Sequence, residues 1–160
     1  MRIGIISDTH GLLRAQVFEV FEGVEHVLHA GDVGEAGILD ELAAIAPVTA
    51  VWGNVDGWEI RHRTTEIAEI DLGGARVAVI HGMQLGSPTP ERVAARFPDA
   101  ALAVFGHSHR PVIQQVGSVL ALNPGSAGRQ RFSDPVSCAI AEIVDGKVTA
   151  RLVDLDPARK

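Results

Sequence analysis

The sequence predicts an α/β fold built on two mixed β-sheets packed face to face, with helices outside. Three observations carry this expectation. Short apolar runs recur along the whole chain. In the first third they alternate with stretches of helical spacing, the β-α-β-α-β pattern of parallel strands joined by crossover helices. In the rest they come in pairs around Gly-rich turns, the pattern of antiparallel hairpins.

Taken in order, residues 2–7 form the first apolar run. Leu13, Val17, Val20 and Phe21 then fall on one helical face, which predicts a helix over 13–21. Residues 26–30 read as the second strand. Ile38, Leu39, Leu42 and Ile45 give a second helical face, stopped by Pro47. Residues 48–52 make the third strand. Residues 66–72 alternate polar and apolar, and Gly73-Gly74 turns them into the run 75–80. Residues 89–97 read as a short helix with Pro90 near its first turn. Residues 101–105 read as another strand, followed by 112–116 and 119–122 around Gly117. Residues 139–144 and 147–153 flank Asp145-Gly146, a strong hairpin signal. No linker, repeat or composition shift divides the 160 residues, so one domain over 1–160 is expected.

Composition narrows the function classes. The chain is 46% hydrophobic and 21% charged, with a net charge of -6. That argues against a nucleic-acid polymer as partner, since phosphate backbones are gripped by clustered Lys and Arg. A small phosphorylated substrate is not excluded, because its binding depends on the local field. Cys138 is the single cysteine, lies in an apolar run, and is expected to be a buried, inert thiol. The first strand is read from residue 2, so no signal peptide is expected. No apolar stretch is long enough to span a membrane, and the expected location is the cytoplasm.

The ends of the apolar runs carry the chemistry. They deliver Asp8 and His10, then Asp32, then Asn54, then His81, then His107 and His109. If the runs are strands, their C-terminal ends bring these side chains to one edge. Seven candidate ligands exceed what one tetrahedral ion needs and suit two ions sharing a bridge. Carboxylate, imidazole and amide oxygen without thiolate point to Mn²⁺, Fe²⁺, Zn²⁺ or Ni²⁺. Two carboxylates against two divalent ions leave a charge of about +2, which attracts an anion such as phosphate.

These motifs, in this order, resemble the calcineurin-like metallophosphoesterases. The family pattern is D-x-H, GD, GN, H and G-H-x-H. Here it reads Asp8-Thr9-His10, Gly31-Asp32, Gly53-Asn54, His81 and Gly106-His107-Ser108-His109. Ser7 to Gly11, His29-Ala30-Gly31-Asp32 and Asn123-Pro124-Gly125-Ser126 are similar to the small, cap-less prokaryotic phosphodiesterase branch. The resemblance implies a four-layer αββα sandwich with the metal site at strand C-terminal ends. It implies that Asp8, His10 and His109 bind one metal, that Asn54, His81 and His107 bind the other, and that Asp32 bridges both. The implied cofactors are two divalent ions, Mn²⁺ first. The implied reaction is hydrolysis of a small phosphodiester by in-line attack of a bridging hydroxide, with Asp32, Asn54 and His10 as the catalytic set. Asn54 also reaches the phosphate. A homo-oligomer occurs among similar small enzymes, and no patch here decides it.

One position departs from the broad family pattern. Many members have a histidine after the motif asparagine, thought to protonate the leaving oxygen. Here that residue is Val55, which has no proton to give, and the small prokaryotic branch tends to share the gap. A bias toward esters with stable leaving groups follows.

Other residues have plainer readings. His29 is expected to pack or to support a ligand, and His26 to sit at a strand edge. His62 is expected in a solvated loop over 61–64, with a substitute proton donor as its functional reading. Asp56 reads as a turn or supporting residue. Asn123-Pro124-Gly125-Ser126 reads as a turn that supports the metal edge. Arg129 and Arg131 are candidate phosphate contacts, with solvated charge as the alternative. Trp52 is expected in the core and Trp58 at the substrate entrance or in solvent. Two rival functions stand beside the diesterase: a phosphomonoesterase on the same site, and a protein-binding scaffold like the eukaryotic retromer subunit.

Overall fold

The computed structural model describes residues 1–131 and 133–159. In chain order it contains β1 (Arg2–Ile6), α1 (Gln16–Val20), β2 (His26–His29), α2 (Gly37–Ala43), β3 (Val48–Ala50) and α3 (Trp58–Arg63). Then come β4 (Ile67–Leu72), β5 (Ala75–Ile80), α4 (Pro90–Arg96), β6 (Leu102–Val104), β7 (Val112–Val116), β8 (Val119–Asn123), β9 (Ser137–Val144) and β10 (Lys147–Asp154). One five-stranded sheet has the order β10-β9-β1-β2-β3, the other β4-β5-β6-β8-β7. Each has three neighbouring parallel strands: β1, β2 and β3 in the first, running out to the β3 edge, and β5, β6 and β8 at the centre of the second.

Strand alternation explains the layering. Ile3 and Ile5 face inward with Val77, Val79, Leu102, Val104 and Leu122, forming the core between the sheets. Ile6 points outward onto Val17, Phe21 and Leu42, so α1 and α2 cover the first sheet. Ala78 and Ile80 point outward onto Val93 and Phe97, so α4 covers the second. The result is the expected helix–sheet–sheet–helix stack. Thr89 caps α4 by accepting a hydrogen bond from the Arg92 N–H at 3.2 Å, with Pro90 in the first turn.

Three details differ from the pattern in the sequence. The hairpin β9–β10 returns to the first sheet, where β9 pairs antiparallel with β1. Residues 137–141 are buried throughout, so they occupy an interior position beside β1, and hairpin periodicity cannot say in which sheet. The first helix closes only over Gln16–Val20 rather than 13–21. Leu13 still packs on the outer core, because apolar spacing reports the buried face whether or not helical bonds close. Residues 61–63 belong to α3 rather than a solvated loop. The Arg61 N–H donates to the Gly57 carbonyl at 3.0 Å, and Ile60 is the helix's one buried residue, which leaves no periodicity to read. Two of the three two-residue hairpins have positive φ at both central residues, Gly73 and Gly74 at 56° and 82° and Asp145 and Gly146 at 50° and 77°, while the β7–β8 hairpin has it at Gly117 alone, at 59°. That matches the right-handed strand twist. Among the described residues no helix is long and apolar enough to cross a membrane.

Candidate metal centre

Five of the predicted ligands sit in the left-handed region of backbone space. Asp8, His10, Asp32, His107 and His109 have φ of 53°, 45°, 53°, 69° and 59°. Non-glycine residues adopt this region at a cost, and only where their surroundings hold them there. Here the loops bond to each other. The Asp8 N–H donates to Gly31 O at 3.0 Å, His10 N–H to Asp32 O at 3.0 Å and Gly11 N–H to Val33 O at 2.9 Å. The Gly106 N–H donates to His81 O at 2.9 Å, joining the ends of β5 and β6.

The two carboxylates each have one oxygen occupied and one facing imidazoles. Asp8 Oδ2 accepts from the Ser7 hydroxyl at 2.6 Å and from the His107 N–H at 3.2 Å. Asp8 Oδ1 is buried and has no hydrogen-bond partner. It lies 3.2 Å from His109 Nε2 and 3.7 Å from His10 Nε2, and those two nitrogens are 3.3 Å apart. Asp32 Oδ1 accepts from the Val55 N–H at 3.1 Å. Asp32 Oδ2 faces His81 Nε2 at 3.2 Å and His10 Nε2 at 3.7 Å.

His81 fixes its own tautomer. Its Nδ1 is 2.7 Å from the Ala30 carbonyl, which can only accept, so Nδ1 carries a proton. Nε2 is thereby presented between Asp32 Oδ2 and Asn54 Oδ1, the latter at 3.2 Å. Lone pairs converge in two places: Asp8, His10 and His109 in one, Asp8, Asp32 and His81 in the other. Within each group the donor atoms all lie within 4.8 Å of one another. An orphaned carboxylate oxygen aimed at two imidazole nitrogens is what a cation site presents, so these residues fit divalent metal.

The charge states agree. Burial works to raise the Asp8 pKa, but the neighbouring imidazoles of His10, His109 and His81 outweigh it and hold the carboxyl well below its usual range. Asp32 behaves likewise, with burial opposed and overcome chiefly by His81. Burial pulls His81 down, yet Asp32 and Asp8 beside it raise it on balance. Burial and the neighbouring His81 lower His107. The carboxylates are therefore anionic at neutral pH.

The remaining predicted residues divide. His107 is brought ring-to-edge against His81, centroids 5.2 Å apart, but belongs to neither converging group. Asn54 joins through His81 as described. The side chains of Arg129 and Arg131 are exposed and make no hydrogen bond or ion pair with any described residue, although Gly128 beside them donates to Asp8 O at 3.2 Å. Val55 is 54% exposed and contributes through its backbone N–H. His62 is exposed and stacks on Trp58, itself 76% exposed, at 4.9 Å. Trp52 is half-buried against the outer core with the Arg61 guanidinium 4.1 Å above its ring.

Supporting residues carry more than sequence reasoning assigned them. His29 is fully buried; its Nδ1 accepts from the Gly31 N–H at 3.1 Å, leaving Nε2–H to donate to Thr9 Oγ1 at 3.0 Å. The Thr9 hydroxyl in turn donates to Val33 O at 2.8 Å. Asp56 accepts from the N–H groups of Val33 at 3.2 Å, Gly34 at 2.9 Å and Gly53 at 2.9 Å, tying the Asp32 and Asn54 loops together. Asn123 Nδ2 donates to Gly106 O at 3.1 Å, and Ser126 Oγ to Asp8 O at 3.0 Å. The motif glycines also gain a reason. A Cβ on Gly53 would strike the Asp32 carboxylate, and one on Gly106 would strike Ser7 Oγ and Asp8 Oδ2.

Comparison with known proteins agrees with this geometry. Residues 1–146 match the family model of the calcineurin-like phosphoesterase superfamily domain. The chain is similar to a probable metallophosphoesterase of Methanothermobacter thermautotrophicus, 37% identical over 163 residues, covering 96% of this chain and 92% of that one. Among solved structures, wild-type Vps29 of Entamoeba histolytica complexed with zinc has a TM-score of 0.75 at 27% identity, covering 97% of this chain and 99% of that one. A characterised archaeal phosphodiesterase shares the fold, with a TM-score of 0.75 at 24% identity over 96% of this chain and 100% of that one. The two mixed sheets, the convergent donors and these likenesses lead to one assignment: the chain belongs to the calcineurin-like phosphoesterase superfamily and is a metallophosphoesterase, a hydrolase.

Proposed function

We propose that the protein is a metal-dependent phosphodiesterase acting on a small phosphodiester. The observation that carries the reading is the buried, partnerless Asp8 Oδ1 facing His10 and His109, next to a second group built on Asp32 and His81. Asp8, His10 and His109 would hold one divalent ion, Asn54, His81 and His107 the other, and Asp32 would lie between them. Bound there, two divalent ions would acidify a water and offset charge on the phosphoryl oxygens. Mn²⁺ is the first candidate, and the zinc complex of the Entamoeba Vps29 makes zinc its main competitor.

The chain's own residues set the rest. Asp8 and Asp32 supply two negative charges, so the loaded centre keeps a net positive charge of about +2 toward an anionic diester. The Ala30 carbonyl holds the His81 ring so that Nε2 faces the site. Asn54 is exposed and turns its Oδ1 toward His81, which leaves its amide N–H groups to donate to a phosphoryl oxygen. Water attacks phosphorus in line with the departing oxygen, and Val55 offers that oxygen no proton. Esters with stable leaving groups are favoured for this reason.

The test strips the protein of metal, restores single metals and assays diesters and monoesters beside Asp32→Ala. Metal-dependent diester turnover, abolished in Asp32→Ala, is expected. Full activity in Asp32→Ala would sink the shared-carboxylate arrangement. Faster turnover of monoesters would convert the reading to a phosphomonoesterase, and no turnover on any substrate would favour a protein-binding scaffold.

A further inference from the structure

Two clefts adjoin the loops that carry the donor cluster, and their linings differ in charge. The first, of about 580 Å³, is lined by His107, whose ring stands edge-on to that of His81, and lies between residues 87–90 and 105–112. Phe105, Pro88 and Val112 give it an apolar floor, and no acidic side chain lines it. The second, of about 480 Å³, lies between residues 34–37 and the start of α3, where Glu35 and Glu59 line it. An anionic substrate arm is repelled from the second and admitted to the first.

The first cleft also has donors to spare. Ser108 Oγ accepts from Asn123 Nδ2 at 3.0 Å, which fixes the oxygen and leaves its own proton to donate. The Arg110 guanidinium is exposed and makes no hydrogen bond or ion pair with any described residue. A planar, unpaired guanidinium beside a hydroxyl suits a phosphate group. The volume falls within the range of small-ligand sites, roughly 300–1,000 Å³. Resting on the phosphodiesterase reading above, we propose that the cleft between His107, Ser108, Arg110 and the 87–90 segment receives one ester arm of the substrate and selects an arm bearing a ring and a second phosphate.

The test uses the Mn²⁺-loaded protein and two chromogenic diesters that differ in one group: thymidine 5′-(p-nitrophenyl phosphate), with and without a 3′-phosphate. The 3′-phosphate is expected to raise kcat/KM, chiefly through KM. Arg110→Gln reduces that preference about tenfold, the size of one lost charge-assisted pair. Ser87→Trp, which crowds the cleft from an exposed loop, lowers kcat/KM for both thymidine esters relative to methyl p-nitrophenyl phosphate. By calorimetry, thymidine 3′,5′-bisphosphate binds Arg110→Gln about tenfold more weakly than wild type, while the unfolding temperature stays the same. Turnover with no preference for the 3′-phosphate, or a preference untouched by Arg110→Gln, overturns the cleft assignment and leaves the hydrolase reading standing. Absence of turnover on every diester overturns both.

Discussion

The buried histidine behind the donor cluster gives the fold a pH dependence of calculable size. His29 is fully enclosed between Thr9 and Gly31 and is neutral in the native state, because Nδ1 is committed as an acceptor. Burial is the main cause of its lowered pKa, and the charges of Asp56, Asp8 and Asp32 offset only part; it falls from 6.5 to about 4. An unfolded chain therefore binds this proton at a higher pH than the native one. Stability from this group is fully present above pH 6.5, declines as pH drops, and is lost through about pH 4. Across that window the loss amounts to about 3 kcal/mol, at about 1.4 kcal/mol per pH unit of separation. The assay is urea unfolding of metal-free wild type and His29→Gln at intervals from pH 4 to 7.5. Subtracting the two removes the acid dependence of Asp8, Asp32 and His81, which both proteins share. The difference should shrink in favour of the variant as pH falls. A difference constant to within about 0.5 kcal/mol would refute the neutral, buried assignment of His29.

Three further outcomes are expected. Asp56→Ala leaves three backbone N–H groups without their carboxylate and should cost roughly 3 kcal/mol or more by urea denaturation, with Asp56→Asn recovering part of the loss. Val55→His should accelerate alkyl esters relative to aryl esters, by up to ~10²–10⁴-fold if a proton donor is what this site lacks; unchanged relative rates would remove leaving-group bias from the account. The Cys138 thiol, pushed up to about 12 by burial, should resist alkylation at pH 8 in the native protein and react in urea, as scored by mass spectrometry.

What was legible in the sequence follows from what side-chain periodicity encodes. The strand ends were readable because apolar runs stop where polar ligands begin, and parallel strands bring such ends together. Periodicity sees one face of one segment, so it could not place β9 beside β1 or reveal α3, whose buried face is Ile60 alone. Asp56 and His29 act by accepting from, or relaying to, backbone groups of other loops, and no spacing in the chain announces such partners. Asp56 did stand two residues after Asn54 in a glycine-bounded turn, which is the nearest thing to a signal. Arg129 and Arg131 stand differently. Charge close to a motif in sequence suggests phosphate contact there, and Arg110, which the same reasoning passed over, lines a cleft with His107.

Both converging donor groups draw on both sheets. Asp8, His10 and Asp32 follow strands of the first sheet, while His81 and His109 follow strands of the second. Metal bound here would therefore act as a rivet through the seam between the layers, resisting any slide of one sheet over the other. The apolar seam residues Ile5, Val79 and Val104 then set the gauge of the site from a distance: a methylene gained or lost there shifts the two halves of the rivet hole out of alignment. Loading with metal should slow amide exchange along β1 and β5 together, because the same fastening stiffens both plates.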